Sequence, residues 1–172
     1  MLDVVPISRG LAGARQGMRR AVPAAVWYAR GCALEASDPV AAMAAYARAL
    51  AGRPDLADAW NNAGRLHHDA GALAAAESCY RLAICAAPAV ALYWFNLGVA
   101  LEDAGRAAEA EAAYTRAVEL DDACADAHFN LARLHEQRAR AGGDVEIARR
   151  ALRHYVRYRQ LVGRRRHQPI FK

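Results

Sequence analysis

Asn62, Asn96 and Asn130 recur at intervals of 34 residues. Asparagine is neither a good helix former nor an apolar packing residue, so its repetition points to a use for the side chain. A side-chain amide carries both donors and an acceptor. A row of amides can grip the backbone of an extended peptide while saying little about its sequence. It can equally bond each repeat to its neighbour and hold a stack together. Both uses stay open on the residues alone.

The remaining reactive side chains argue against catalysis. Neither GxGxxG nor GxxxxGK occurs, so no phosphate-cradling loop is expected. His135-Glu136 lacks the second histidine of an HExxH zinc site. His67 and His68 are adjacent, and adjacent residues of a helix point to different sides. No Ser/His/Asp or Cys/His spacing suggests a nucleophile. Cys32, Cys79, Cys85 and Cys124 form no CxxC pair. They are expected as buried thiols in a reducing, cytoplasmic setting rather than as a disulfide frame or zinc site. The expectation is therefore a non-enzyme with no cofactor and no metal.

The elements that position these residues must be helices. Of 172 residues, 44 are alanine, the strongest helix former and a poor strand former. Basic residues number 23, of which Lys172 is the one lysine. Such Ala and Arg use suggests coding from a GC-rich bacterial genome. A hydrophobic fraction of 55% with 24% charged residues suits a folded chain, not a disordered one. No apolar run approaches the roughly 20 residues that span a bilayer, and no secretory signal is visible before Ser8.

The net charge of +5 hides three blocks. Residues 1–30 carry +4, residues 31–132 carry −8 and residues 133–172 carry +9. Basic ends suit nucleic acid, acidic lipid or an acidic partner, or serve only as a solubilising rim.

A period of 34 organises the chain. Residues 57–90 and 91–124 share 13 identities without a gap, among them Trp60/Trp94, Gly64/Gly98, Gly71/Gly105 and Tyr80/Tyr114. Trp94, Leu97, Gly98, Ala110 and Tyr114 match the spacing W-x2-L-G…A-x3-aromatic, and Trp60, Gly64, Ala76, Tyr80 and Pro88 match it again. The pattern resembles the tetratricopeptide repeat family. The resemblance implies an all-α, right-handed superhelical stack of about four helix-turn-helix hairpins, an α-solenoid. Repeats are expected at about 24–56, 57–90, 91–124 and 125–162, within an array over 23–162. Residues 1–22, with Arg9, Arg15, Arg19 and Arg20, are expected as a basic tail or partial cap. Residues 163–172, with Arg164, Arg165 and Arg166, are expected as a second basic tail.

Local signals agree. Asp38-Pro39 reads as an N-cap with proline at the first helical position, and Asp144 caps a last helix expected to end near Val162. Small residues such as Gly64 and Gly98 let paired helices approach. Tyr80 and Tyr114 are expected to fill the space between hairpins. Gly71 and Gly105 are expected to end the first helix of each hairpin.

The resemblance also puts His67 and His135 at aromatic core-packing positions and His128 in the place of the tryptophan, and it implies that first helices line a concave groove. It places Asp58, Asn61, Asn62, Arg65, His68 and Asp69 there from the second repeat. Leu92, Phe95, Asn96, Val99, Glu102 and Asp103 follow from the third, and Asp126, Phe129, Asn130, Arg133, Glu136 and Gln137 from the fourth. Tyr28 and Glu35 come from the first. The expected peptide-binding residues are Asn62, Asn96 and Asn130 for backbone, with Arg65, Arg133, Phe95 and Phe129 for specificity. The acids are expected as a solvated face. Similar asparagine rows line the repeat arrays of O-linked N-acetylglucosamine transferases. The chaperone-binding subclass clamps a carboxylate with lysines, and this chain has none before Lys172. No heat-shock ligand is therefore expected. The expected function is a non-catalytic protein-interaction module. Two alternatives are nucleic-acid association through the arginine-rich ends, with Tyr155 and Tyr158 as stacking rings, and a repeat segment of a larger enzyme or regulator.

Overall fold

The computed structural model describes residues 22–166. The expected basic tail at 1–22 lies almost entirely outside those residues. Eight helices follow one another: α1 (Ala24–Leu34), α2 (Pro39–Gly52), α3 (Ala57–Asp69), α4 (Leu73–Ala86), α5 (Ala91–Asp103), α6 (Ala107–Leu120), α7 (Ala125–Gly142) and α8 (Val145–Arg166). No strand occurs among the described residues. Each odd helix pairs with the next even one, and successive hairpins stack. The result is an all-α solenoid of four hairpins. The last helix runs to Arg166, past the expected end at Val162. Gly163 alone does not break a helix that nothing else interrupts.

Short-range chemistry sets the helix ends. The Asp38 carboxylate accepts from the Ala41 N–H at 3.0 Å, with Pro39 at the first turn. Asp144 accepts from the N–H groups of Glu146 and Ile147 at 2.8 and 3.2 Å. Gly71 and Gly105 have φ of +73° and +75°. Around Gly71, the Ala72 N–H donates to the His67 carbonyl at 2.9 Å and the Gly71 N–H to His68 at 2.8 Å. Arg106 and Gly105 repeat both bonds to Leu101 and Glu102. This is the Schellman closure of a helix, which needs a left-handed residue. Gly71→Ala therefore costs about 1 kcal/mol from backbone strain alone, since open space surrounds the site. Gly142→Ala, at a helical glycine with equally open surroundings, is the control and leaves the urea midpoint level or raised.

Each hairpin closes on a glycine and a tyrosine. A Cβ at Gly31, Gly64 or Gly98 would lie 2.5, 2.7 or 2.5 Å from the ring of Tyr46, Tyr80 or Tyr114. Each ring thus closes its own hairpin and also joins the core shared with the next one: Tyr46 with Ala59 and Ala63, Tyr80 with Tyr93 and Leu97, Tyr114 with Leu131 and Leu134. A second device ties α3, α5 and α7 each to the linker before it. The Trp60 indole donates to the Pro54 carbonyl and the Trp94 indole to the Pro88 carbonyl, both at 2.9 Å. His128 stands at the same register and bonds the Asp122 carbonyl through Nε2 at 3.2 Å.

Two histidines expected in the core, His128 and His135, are buried, whereas His67 is half-buried. The cysteine expectation needs correcting: Cys79 is buried and Cys124 half-buried, but Cys32 and Cys85 are exposed. Cys32, Cys79 and Cys85 are free thiols. No helix among the described residues is long and apolar enough to cross a membrane.

Candidate peptide-binding face

Side-chain bonds trace one face along the first helices. Glu35, the residue that caps the end of α1, pairs with Arg65 of α3. On α5, Tyr93 donates to Asp58 of α3 at 2.5 Å, and Asp103 meets His68 of α3 at 2.7 Å. Glu102 of α5 pairs with Arg133 of α7. The residues expected on this face are therefore brought together from four helices.

The asparagine row bonds backward along the stack. Asn62 donates to the Tyr46 hydroxyl at 3.2 Å. Asn96 donates to Asn61 Oδ1 at 2.8 Å. Asn130 lies beside the Tyr114 hydroxyl. Each amide thus engages the preceding hairpin while its residue stays half-buried. Phe95 is half-buried, its ring 5.8 Å from that of Tyr114. Phe129 is more open at 39% exposure and rests on the rings of Tyr155 and Tyr158.

Arg65 and Arg133 do not stand free on this face. They close two matching polar clusters. In the first, Tyr46 donates to Glu35 at 2.5 Å, and Glu35 pairs with Arg65. In the second, Tyr114 donates to Glu102 at 3.1 Å, and Glu102 pairs with Arg133. Burial first, then Cys32 and Glu35 at Tyr46 and Glu102 at Tyr114, holds both hydroxyls well above the usual tyrosine range, so they stay donors. The acids at the hearts of the clusters look like surface residues in sequence. The one signal is register: Glu35 and Glu102 each precede an arginine about one repeat on, at separations of 30 and 31.

The pattern skips the junction between the second and third hairpins. His68 stands where Glu35 and Glu102 do, and Val99 stands where Arg65 and Arg133 do. Tyr80 is 2% exposed, yet no hydrogen bond from its hydroxyl occurs among the described residues. Burial, then Asp69, pushes it up to about 12.

Along the whole face seven carboxylates (Glu35, Asp58, Asp69, Glu102, Asp103, Asp126, Glu136) meet three guanidinium groups, those of Arg65, Arg133 and Arg140. The face is acidic even after its ion pairs form. Among the described residues no group of three or more His, Cys, Asp or Glu side chains is arranged to hold a metal.

A stack of helical hairpins whose first helices share one polar, half-buried face defines a helical-repeat protein. The chain belongs to the tetratricopeptide repeat family: models described as tetratricopeptide repeat match residues 28–91 and 91–124. No curated protein matches it in sequence. Solved structures share the fold at low identity. The crystal structure of MamA aligns at 13% identity with a TM-score of 0.74, covering 84% of this chain and 81% of that one. MamA 41-end from Desulfovibrio magneticus RS-1 aligns at 21% identity with a TM-score of 0.69, covering 84% and 78%. The first repeat domain of Spaghetti (RPAP3), solved with the HSP90 peptide SRMEEVD, aligns at 20% identity with a TM-score of 0.65, covering 70% and 96%.

Proposed function

We propose that the chain is a non-catalytic module that holds an extended peptide or protein segment along the first-helix face. The observation that carries this reading is the amide row. Asn62, Asn96 and Asn130 sit on one face at one register, half-buried, as backbone-reading groups must be. Phe95 and Phe129 add apolar contact beside them. The likeness to a repeat domain solved with a bound peptide supports the mode of use. It does not support the same ligand, because Arg65 and Arg133 are already paired with Glu35 and Glu102. The free thiols support a reducing, cytoplasmic setting.

Nucleic-acid binding through α8 is the weaker reading. Tyr155 donates to Glu136 at 2.9 Å and both α8 tyrosines lie against Phe129, so neither ring is free to stack on bases. Arg157 pairs with Asp122, and Arg149 and Arg153 with Glu146.

Selection from a displayed random-peptide library tests the proposal. Enriched peptides bind N62A/N96A/N130A at least about tenfold more weakly, since each lost amide bond is worth about 1 kcal/mol. The triple variant keeps its helical circular dichroism. Unchanged affinity in that variant removes the amides from the site, and collapse of its fold assigns them to the stack alone.

A further inference from the structure

The outer side of α8 carries an apolar stripe in a basic setting. Val145, Leu152 and Val156 are 65%, 63% and 46% exposed. Successive helical residues turn by about 100°, which brings these three within about 40° of one another on the helix. Ala151 and Leu161 are buried on the opposite side, toward α7. Single exposed apolar residues are ordinary, but a line of three along one crest marks a surface that something covers. The crest is bordered by charge of one sign. Arg149 and Arg153 stand on one flank and Arg159 on the other, all exposed. Glu146 is the one acid from Val145 to Arg166, and both Arg149 and Arg153 draw on it, at 3.7 and 3.3 Å. Arg159 has no ion pair among the described residues. Arg164, Arg165 and Arg166 follow on the same helix.

We propose that this crest docks on an anionic lipid bilayer and lies in its surface without crossing it. Val145, Leu152 and Val156 enter the boundary between headgroups and acyl chains, while the flanking arginines meet lipid phosphates and carboxylates. Side chains this exposed form a ridge rather than a groove, and a ridge suits a flat, deformable surface. A second copy fits less well. Two crests face to face set arginine against arginine, and the opposite end of the stack carries +4 over residues 1–30. Nucleic acid would take the charge but leave the apolar crest in water. The crest points away from α7, so the first-helix face stays open to a peptide while α8 holds the bilayer.

The test is co-sedimentation of the full chain with phosphatidylcholine vesicles, plain or with about a third phosphatidylserine. The serine-containing vesicles bind at least about tenfold more tightly at low salt, and the preference shrinks at about 500 mM salt. L152S/V156S and R149Q/R153Q/R159Q each weaken that binding about tenfold. All five side chains are exposed, so both variants keep the native circular dichroism and melting temperature. R53Q/R81Q/R116Q removes as many exposed charges from elsewhere in the array and leaves binding within about twofold. Equal binding to the two kinds of vesicle, or to neither, overturns the proposal. Equal losses from the two arginine variants also overturn it, because net charge alone then accounts for the attraction. Undiminished binding by L152S/V156S removes the crest from the contact. A duplex oligonucleotide that binds more tightly than the vesicles, and loses affinity in the α8 arginine variant but not in L152S/V156S, transfers α8 to nucleic acid. A dimer in sedimentation equilibrium that L152S/V156S dissociates assigns the crest to a second copy instead.

Discussion

Tyr114→Ala costs the array about 4 kcal/mol, the range for deleting a fully buried aromatic side chain. The Tyr114 ring is wholly shielded from solvent, with one face on Gly98 and its neighbour Phe95 at 5.8 Å. Its hydroxyl joins Glu102 at 3.1 Å and also meets Asn130 of the next hairpin. The loss therefore weakens the third hairpin and its junction with the fourth. The diagnostic experiment is a double-mutant cycle with Gly98→Ala. In the native chain the new methyl would sit 2.5 Å from a ring carbon, so Gly98→Ala destabilises by about 2 kcal/mol despite its better helix propensity. In the Tyr114→Ala background the ring is gone, and the same change stabilises by about 1 kcal/mol. Urea midpoints with the same sign in both backgrounds would refute the ring-on-glycine account.

Acid weakens the last hairpin well before it titrates the carboxylates. His128 of α7 and His154 of α8 meet Nδ1 to Nδ1 at 2.9 Å. The Asp122 carbonyl can only accept, so His128 carries its proton on Nε2, and its Nδ1 accepts from His154. His135 stacks beside His154 with ring centres 5.6 Å apart, and its Nδ1 has no hydrogen-bond partner. Burial first, then His128, His135 and Arg153, pulls His154 down to about 4. Burial also lowers His135, against the opposing pull of Glu111.

The folded state thus holds His154 and His135 neutral, while the unfolded chain protonates them near pH 6.5. Between pH 6.5 and 4 the unfolded state binds more protons, so stability rises with pH across that window and is lost as pH falls. From pH 7.5 to 5.0 His154 alone accounts for about 2 kcal/mol, or a melting temperature lower by about 4–8 °C. His154→Gln, which keeps an N–H donor for His128, flattens the profile. A melting temperature level from pH 7.5 to 5.0 in the native chain would rule the mechanism out.

The same residues separate what composition reveals from what packing adds. The hairpin count, the caps at Asp38 and Asp144 and the stops at Gly71 and Gly105 were legible, because each depends on neighbours within a turn or two. The glycine and tyrosine registers were legible as residue types. Their contact was not, since a ring of that size can close one hairpin, bridge two or do both. His128 was legible as a substitute for a tryptophan. Its use of the tryptophan's carbonyl bond became clear only once the linker folded back over it. Cys32 and Cys85 were misplaced because a free cysteine behaves as a small apolar residue, and position alone does not say which helix face is covered.

For the candidate site, the repeat spacing put Asn62, Asn96 and Asn130 at one register, and the family resemblance set Arg65, Arg133, Phe95 and Phe129 beside them. Those relations follow from helical and repeat periodicity, which one strand of text carries. The tertiary structure decided that the arginines are paired with Glu35 and Glu102, that tyrosine hydroxyls hold those acids, and that Tyr80 is left over. Such partners lie about a repeat apart or more, on helices joined only by stacking. Charge pairing over that distance depends on where each side chain points, which periodicity does not encode.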